Sequence, residues 1–436
     1  MIITPLLSYQ KKALTYLKSH SPCAEFLPLG TGKSLIALAY AEHIEARRIL
    51  ITSDKNNIIN TWPDEIYRHT DYECDVRPEW IRVADNQPIC TCINYDLLTA
   101  RWKMYSQVPW DLWIGDESLE FKDQRTDKHT ALNRVVRDIP YRLILNGTPM
   151  TERLEDLFGQ FKILDGGEHL GKSITQFRLR YMNPDNISGY GWLPQRSAYS
   201  RVRAACSDVC YWVDKIKVKM PKRHYHKILI PMTKEQKRID DDLKKWFAAE
   251  LGKENIEVNY AASLFIKRLQ LSGGVFRGEN VKFVHNYKVQ HVQDIITHNP
   301  NAKIVVWHSY IPETELLQTG LKVKPLYVMD SPERVDQLKA FKKCKRGVLL
   351  IRTALCKGIN QLADADIAIF YSNPLSYARR AQAEGRSRRI TSKTDVTHFV
   401  DIVTTGGADE LVYHMLEQKK NMSLTINGLK QIFLKK

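Results

Sequence analysis

Twice along this chain, short apolar runs alternate with stretches of helical period, and that alternation restricts the fold more than any other feature. In the first third the runs lie at 48–52, 89–94, 112–116 and 142–146, and the pattern returns at 303–307, 348–351, 367–371 and 397–403. Strands that are apolar throughout and separated by helices build parallel sheets with both faces covered. Two α/β domains in tandem are therefore expected. Between them, 166–214 is rich in Arg, Tyr and Trp with weak strand signals, and 233–251 reads as a charged amphipathic helix. The lysines at 217, 219 and 222 mark the crossing, so the boundary is placed near residue 220. The expected domains are 1–220, with a helical insertion at 166–214, and 221–436, with a helical insertion at 233–290.

The turn between the first strand and helix carries the strongest local signal, Leu29-Gly30-Thr31-Gly32-Lys33-Ser34, followed by a helical run over 35–43. Gly30, Thr31 and Gly32 let backbone amides approach phosphate oxygens, a helix N-terminus adds positive potential, and Lys33 reaches the outer phosphates. Ser34 supplies a hydroxyl for Mg²⁺. Position 27 is Leu27 where the longer P-loop signature has glycine, so the match is to the shorter form found in helicases. Downstream, the apolar run 112–116 ends in Asp116 and Glu117, at the strand edge where α/β sheets bind ligands. Asp116 is placed to hold the magnesium shell and Glu117 to polarise an attacking water. The two motifs in this order predict a nucleotide site using ATP and Mg²⁺. A kinase is disfavoured, because no catalytic-aspartate loop follows.

Lys and Arg number 65 against 49 Asp and Glu, a net +16 spread along the chain, which suits a partner carrying phosphates. No apolar run reaches bilayer-spanning length, and the first ten residues lack a charged stretch followed by a hydrophobic block, so no membrane partner is expected. Of the eight cysteines, the pairs Cys90/Cys92 and Cys206/Cys210 lack a second pair or spaced histidines, which points to reduced thiols and not zinc.

With these motifs in place the sequence resembles the Swi/Snf-like family of superfamily 2 motors over nearly its whole length. Leu7-Ser8-Tyr9-Gln10 resembles the motif whose glutamine recognises adenine, and Asn94-Tyr95-Asp96 the motif after the second long strand. Leu145-Asn146-Gly147-Thr148-Pro149 resembles the coupling motif, with Gly147 and Thr148 at its centre. Gly358-Ile359-Asn360 and the stretch from Gln382 to Arg389 resemble the last two motifs. The resemblance implies two RecA-like domains sharing one ATP site, with Gly358, Asn360 and Gln382 near the nucleotide and Arg386 and Arg389 as arginine fingers. It implies nucleic acid as partner, double-stranded DNA first, with Tyr95, Lys122, Arg125 and Thr353 flanking motifs that face the strand. It also implies a compact form like those of bacteria or phages, acting in the cytoplasm of a bacterium or infected host, with a nuclear protein left open.

Leu119 stands where the family usually has histidine, so the resemblance leaves open how the magnesium motif is linked to the coupling motif. Leu355-Cys356 and Thr391-Ser392 also depart from the family pattern. The expected function is a DNA-dependent ATPase that translocates on duplex DNA. Its rivals are a strand-separating DNA or RNA helicase and a nucleic-acid-binding scaffold with weak ATPase. Lys33, Asp116, Glu117, Arg386 and Arg389 are all present, which speaks against the scaffold.

Overall fold

The computed structural model describes residues 2–77, 79, 87–147, 149–150, 153–184, 191–216, 221–251, 258–277, 282–356, 359, 362, 364–388, 392 and 394–418. The chain forms two compact units, the first drawing on Met1–Val218 and the second on Lys219–Cys356 and Asn360–Lys436.

In the first unit the strands are β1 (Cys23–Phe26), β2 (Arg48–Ser53), β3 (Glu73–Val76), β4 (Ile89–Asn94), β5 (Leu112–Asp116) and β6 (Tyr141–Asn146). A small antiparallel hairpin, β7 (Met182–Pro184) and β8 (Trp192–Pro194), precedes β9 (Cys210–Trp212). The main sheet is parallel, in the order β3-β4-β2-β5-β6-β1-β9. Its central strands are apolar at successive positions because each face meets its own core. Leu50, Trp113 and Ile144 pack into one cluster, and Ile49, Ile51, Ile114 and Leu143 into the other. Register sets the strand ends level, with Asp116 opposite Leu145 and Phe26 opposite Asn146, so the loops that follow emerge along one edge.

The insertion expected at 166–214 ends earlier than its composition implied. It holds the helices Ile174–Tyr181 and Ala198–Ala205, but Cys210–Trp212 is the outer strand of the main sheet, pairing with β1. Three residues are too few to show a period, and the partner strand decides the pairing.

The second unit opens with β10 (Lys222–Pro231), then the hairpin β11 (Val275–Arg277) and β12 (Lys282–Val284). It continues with β13 (Lys303–His308), β14 (Leu326–Val328), β15 (Gly347–Arg352), β16 (Ile367–Phe370) and β17 (Val396–Thr405). The parallel sheet runs β10-β17-β16-β13-β15-β14. Within the range 233–290, expected to be a helical insertion, the helices Lys234–Leu251 and Val258–Ser272 are followed by the hairpin β11–β12. They are tied by a buried ion pair, Arg268 Nε to Asp240 Oδ1 at 2.7 Å. Among the described residues no helix is long and apolar enough to cross a membrane.

Candidate nucleotide site

The loop from Leu27 to Gly32 joins the carboxyl end of β1 to the helix Lys33–His43. Gly30 and Gly32 take φ of 77° and 74°, the left-handed region where a Cβ is costly. A Cβ on Gly32 would also meet Gln10 Nε2 at 2.6 Å. The turn therefore depends on glycine for its backbone and for close approach. The eleven-residue helix buries Leu35 through Ala41 and ends on this loop, so its amino-terminal dipole faces the turn.

Two side chains from the helix Ser8–Ser19 brace the loop. Tyr9 donates from its hydroxyl to the Thr31 carbonyl at 2.6 Å, and Gln10 Nε2 donates to the same oxygen at 3.1 Å. Gln10 Oε1 accepts from the Leu7 amide at 2.9 Å, so both ends of this buried amide are engaged by protein backbone. Lys33 folds back over its own loop, its ammonium donating to the carbonyls of Leu27 and Pro28 at 3.0 and 3.3 Å.

Asp116 ends β5. Its Oδ2 accepts from Ser53 Oγ at 3.0 Å, Trp62 Nε1 at 3.1 Å and Asn57 Nδ2 at 3.5 Å, and its Oδ1 accepts from the Glu117 amide at 2.9 Å. The protein packed around this carboxylate pushes its pKa up to about 7; Glu117's charge adds to the rise, while the Trp62 and Ser53 bonds oppose it. Glu117 is buried with φ 53° and ψ 55°, a left-handed conformation that costs a non-glycine residue about 1–2 kcal/mol. The Tyr95 hydroxyl pins this turn by donating to the Asp116 carbonyl at 2.6 Å.

A third carboxyl was not singled out from the sequence. Glu25, in the middle of β1, is fully buried, and among the described residues neither oxygen has a hydrogen-bond partner. Burial pushes its pKa up to about 8, with Lys33 opposing the shift and Asp116 adding to it. The signal was available: Glu25 is the one charged residue in the otherwise apolar run from Cys23 to Leu27. The coupling motif also reaches the loop, since a Cβ on Gly147 would collide with the side chain of Leu29.

Two residues expected to touch nucleic acid are interior supports. Tyr95 is 2% exposed and holds the Asp116 carbonyl, and Thr353 is 2% exposed with its hydroxyl 3.2 Å from Ser309 Oγ. Lys122 lies at the surface, its ammonium 3.1 Å from Asp156, and Arg125 is highly exposed against Asp123. In the aromatic stretch of the insertion, Phe177 and Tyr181 are buried in the core of the first unit.

In the second unit, Gln382 and Arg386 lie on the helix Tyr377–Ser387. Arg386 is nearly buried, and its Nε donates to the Cys356 carbonyl at 2.9 Å; the Cys356 thiol is 3.8 Å from Gln382 Oε1. The helix is anchored by Arg380, which bonds Asp401 Oδ2 at 2.9 Å and Glu384 at 2.8 Å. Ser34 is half-exposed at the start of its helix. Thr148, Gly358, Asn360 and Arg389 lie outside the described residues.

The donor set in the first unit suits a phosphate-bound hard cation. It offers a carboxylate and a hydroxyl as oxygen ligands, with a lysine and a helix N-terminus for the phosphates. Burial raises the pKa values of both Asp116 and Glu25, and a divalent ion bound at Asp116 would favour its charged form.

Comparison with known proteins agrees with this arrangement. The SNF2-related domain matches residues 30–271 and the helicase conserved C-terminal domain matches 287–391. The chain is 25% identical to protein p41 of Acyrthosiphon pisum secondary endosymbiont phage 1, over 94% of this chain and 95% of that one. It is 24% identical to the human DNA annealing helicase and endonuclease ZRANB3, over 98% of this chain and 41% of that protein. With the Drosophila melanogaster SWI/SNF-related matrix-associated actin-dependent regulator of chromatin subfamily A-like protein 1, identity is 21%, over 90% of this chain and 52% of that protein. The chain thus spans about half or less of these two longer relatives. The helicase domain of Pyrococcus furiosus Hef shares the fold, with a TM-score of 0.52 at 14% identity, covering 96% of this chain and 100% of that one.

Proposed function

The chain belongs to the SNF2-related family of ATP-hydrolysing superfamily 2 enzymes, and from that premise we propose that it is a DNA-dependent motor that translocates along intact duplex DNA. The observation that carries the reading is the meeting of the glycine loop, Lys33 and the Asp116–Glu117 turn on one sheet edge, with Gly147 of the coupling motif packed on that loop. ATP phosphates take the Lys33 ammonium away from the Leu27 and Pro28 carbonyls, and the amides of the loop close on them. Asp116 and Ser34 would hold Mg²⁺, which neutralises phosphate charge. Glu117 accepts a proton from the attacking water, and the family resemblance implies Arg386 and Arg389 as the arginine fingers that stabilise charge on a transferred phosphoryl group.

Cyclic closure on ATP and release on hydrolysis then moves the protein along a phosphate backbone, whose contacts are indifferent to sequence. The +16 charge favours that partner. Staying on a closed duplex avoids the roughly 1.4 kcal/mol of stacking lost at each opened step. The test sets ATP-driven displacement of a third strand from a triplex beside unwinding of a forked duplex, at moderate salt so that charge steering does not mask weak coupling. Triplex displacement with little fork unwinding supports duplex translocation. Efficient fork unwinding without triplex displacement assigns the protein to the strand-separating helicases instead.

A further inference from the structure

Behind the acidic turn, three fully or almost fully buried polar side chains form a chain of hydrogen bonds that runs in one direction. Gln160, on the helix Glu155–Asp165, donates from Nε2 to the carbonyls of Pro149 and Asp156, both at 2.7 Å. Carbonyls only accept, so the nitrogen of this amide faces them and its oxygen faces the other way, toward Ser118. Ser118 Oγ donates to Gln160 Oε1 at 2.5 Å and accepts from Asn146 Nδ2 at 3.1 Å. Ser118 and Gln160 are 0% exposed and Asn146 is 2% exposed. The Ser118 proton and both protons of the Gln160 amide are each placed, and removing the Ser118 hydroxyl leaves the buried Gln160 Oε1 without its donor.

The chain joins two motifs that the sequence left unconnected. Ser118 directly follows Glu117, and Asn146 and Pro149 bracket the coupling motif. The backbone reinforces the link, because the helix carrying Gln160 packs so closely at Gly159 that a Cβ there would collide with the Lys122 carbonyl. His129 Nε2 lies 3.1 Å from the Gly159 carbonyl on the same helix. Residues 118–122 are thereby held against the helix that follows the coupling motif.

We propose that Ser118 and Gln160 are positioning residues that carry a shift of the acidic turn into the coupling segment, in place of the missing histidine at position 119. A displacement of Glu117 when nucleotide binds pulls Ser118, and Gln160 passes it to Pro149 and to Asp156, the ion partner of the surface residue Lys122. This inference rests on the ATPase reading of the site and not on duplex translocation.

The test uses the full chain as Gln160→Met and as Ser118→Ala, which removes a single oxygen and is the milder of the two. Hydrogen exchange of peptides covering 146–157 is compared with and without Mg²⁺ and a non-hydrolysable ATP analogue, beside steady-state ATPase with saturating duplex DNA. Expected is a nucleotide-dependent protection change in the parent that is lost in both variants, with ATP KM within about twofold and turnover down about tenfold. A parental protection change in the variants, even with lowered melting temperature, would overturn the proposal and leave the chain a packing feature. If DNA fails to stimulate the parent, the motor reading falls, while the exchange arm still decides this one.

Discussion

The indole nitrogen of Trp62 donates to Oδ2 of Asp116 at 3.1 Å, so the helix that follows β2 holds the carboxylate that ends β5. Trp62 is fully buried, and its indole N–H can only donate, which fixes the direction of that bond. Trp62→Phe keeps most of the packing and removes the donor. Supports of this kind behind a metal ligand are worth about 10–100-fold in metal affinity. The Mg²⁺ concentration for half-maximal ATPase should therefore rise by about tenfold or more, read by titrating Mg²⁺ at fixed ATP. An unchanged midpoint would mean that Asp116 is positioned without Trp62.

Lys33→Ala is expected to abolish ATP hydrolysis, and Glu117→Gln to retain ATP binding while turnover drops by roughly 10²–10⁴, the range of general acid–base catalysis. Fluorescent nucleotide binding and phosphate release separate the two. Turnover by Glu117→Gln within a few fold of the parent would remove Glu117 as the base.

Arg386→Ala should lower turnover by about 10³ or more with a much smaller change in nucleotide affinity. Because Arg386 also holds the Cys356 carbonyl, a melting curve accompanies the kinetics, and Arg389→Ala provides the second reading. Loss of ATP binding with a preserved rate at saturation would make these arginines ground-state binders.

Glu25 gives a pH-dependent prediction. Its pKa stands at about 8 in the folded protein against an ordinary 4.5. The folded state thus keeps a proton that the unfolded chain releases, and the associated stability is full below about pH 4.5 and lost as pH rises through about 8. In nucleotide-free protein Glu25 by itself should remove up to about 1.4 kcal/mol of stability for each unit between pH 6 and 8.5, beside the loss from Asp116, whose raised pKa acts in part of the same window. Glu25→Gln cannot titrate and should flatten that slope whatever its effect on absolute stability. Denaturant unfolding of both proteins at the two pH values checks it, and equal slopes would clear Glu25.

The central strands were legible because burial on both faces leaves the apolar code undiluted: Ile89–Asn94 and Leu112–Asp116 have the bounds the sequence indicates. β3 and β10 were not, since the side chains of Glu73–Val76 and most of Lys222–Pro231 are partly or largely solvated, and the pairing of β10 is set by a partner far along the chain. The glycine loop and acidic turn were readable as local chemistry. The bonds of Ser53 and Trp62 to Asp116, and of Gln160 to Ser118, were not, because each joins residues distant in sequence. The burial of Tyr95 and Thr353 was not legible either, since a residue beside a motif serves equally well as the post behind it.

The ten-residue register between β10 and β17 sets an order of events during synthesis. All strands of the first main sheet have emerged once residue 212 is made, so this half has its partners early. β10 follows at once, yet its only strand neighbour among the described residues is 396–405. At ribosomal speeds of about 5–20 residues per second it waits on the order of ten seconds or more with both edges bare. The growing polypeptide thus passes through a stage in which a finished nucleotide loop is tethered to an unfinished sheet, when Ile230, buried in the finished fold, is open to any chaperone or neighbouring nascent chain.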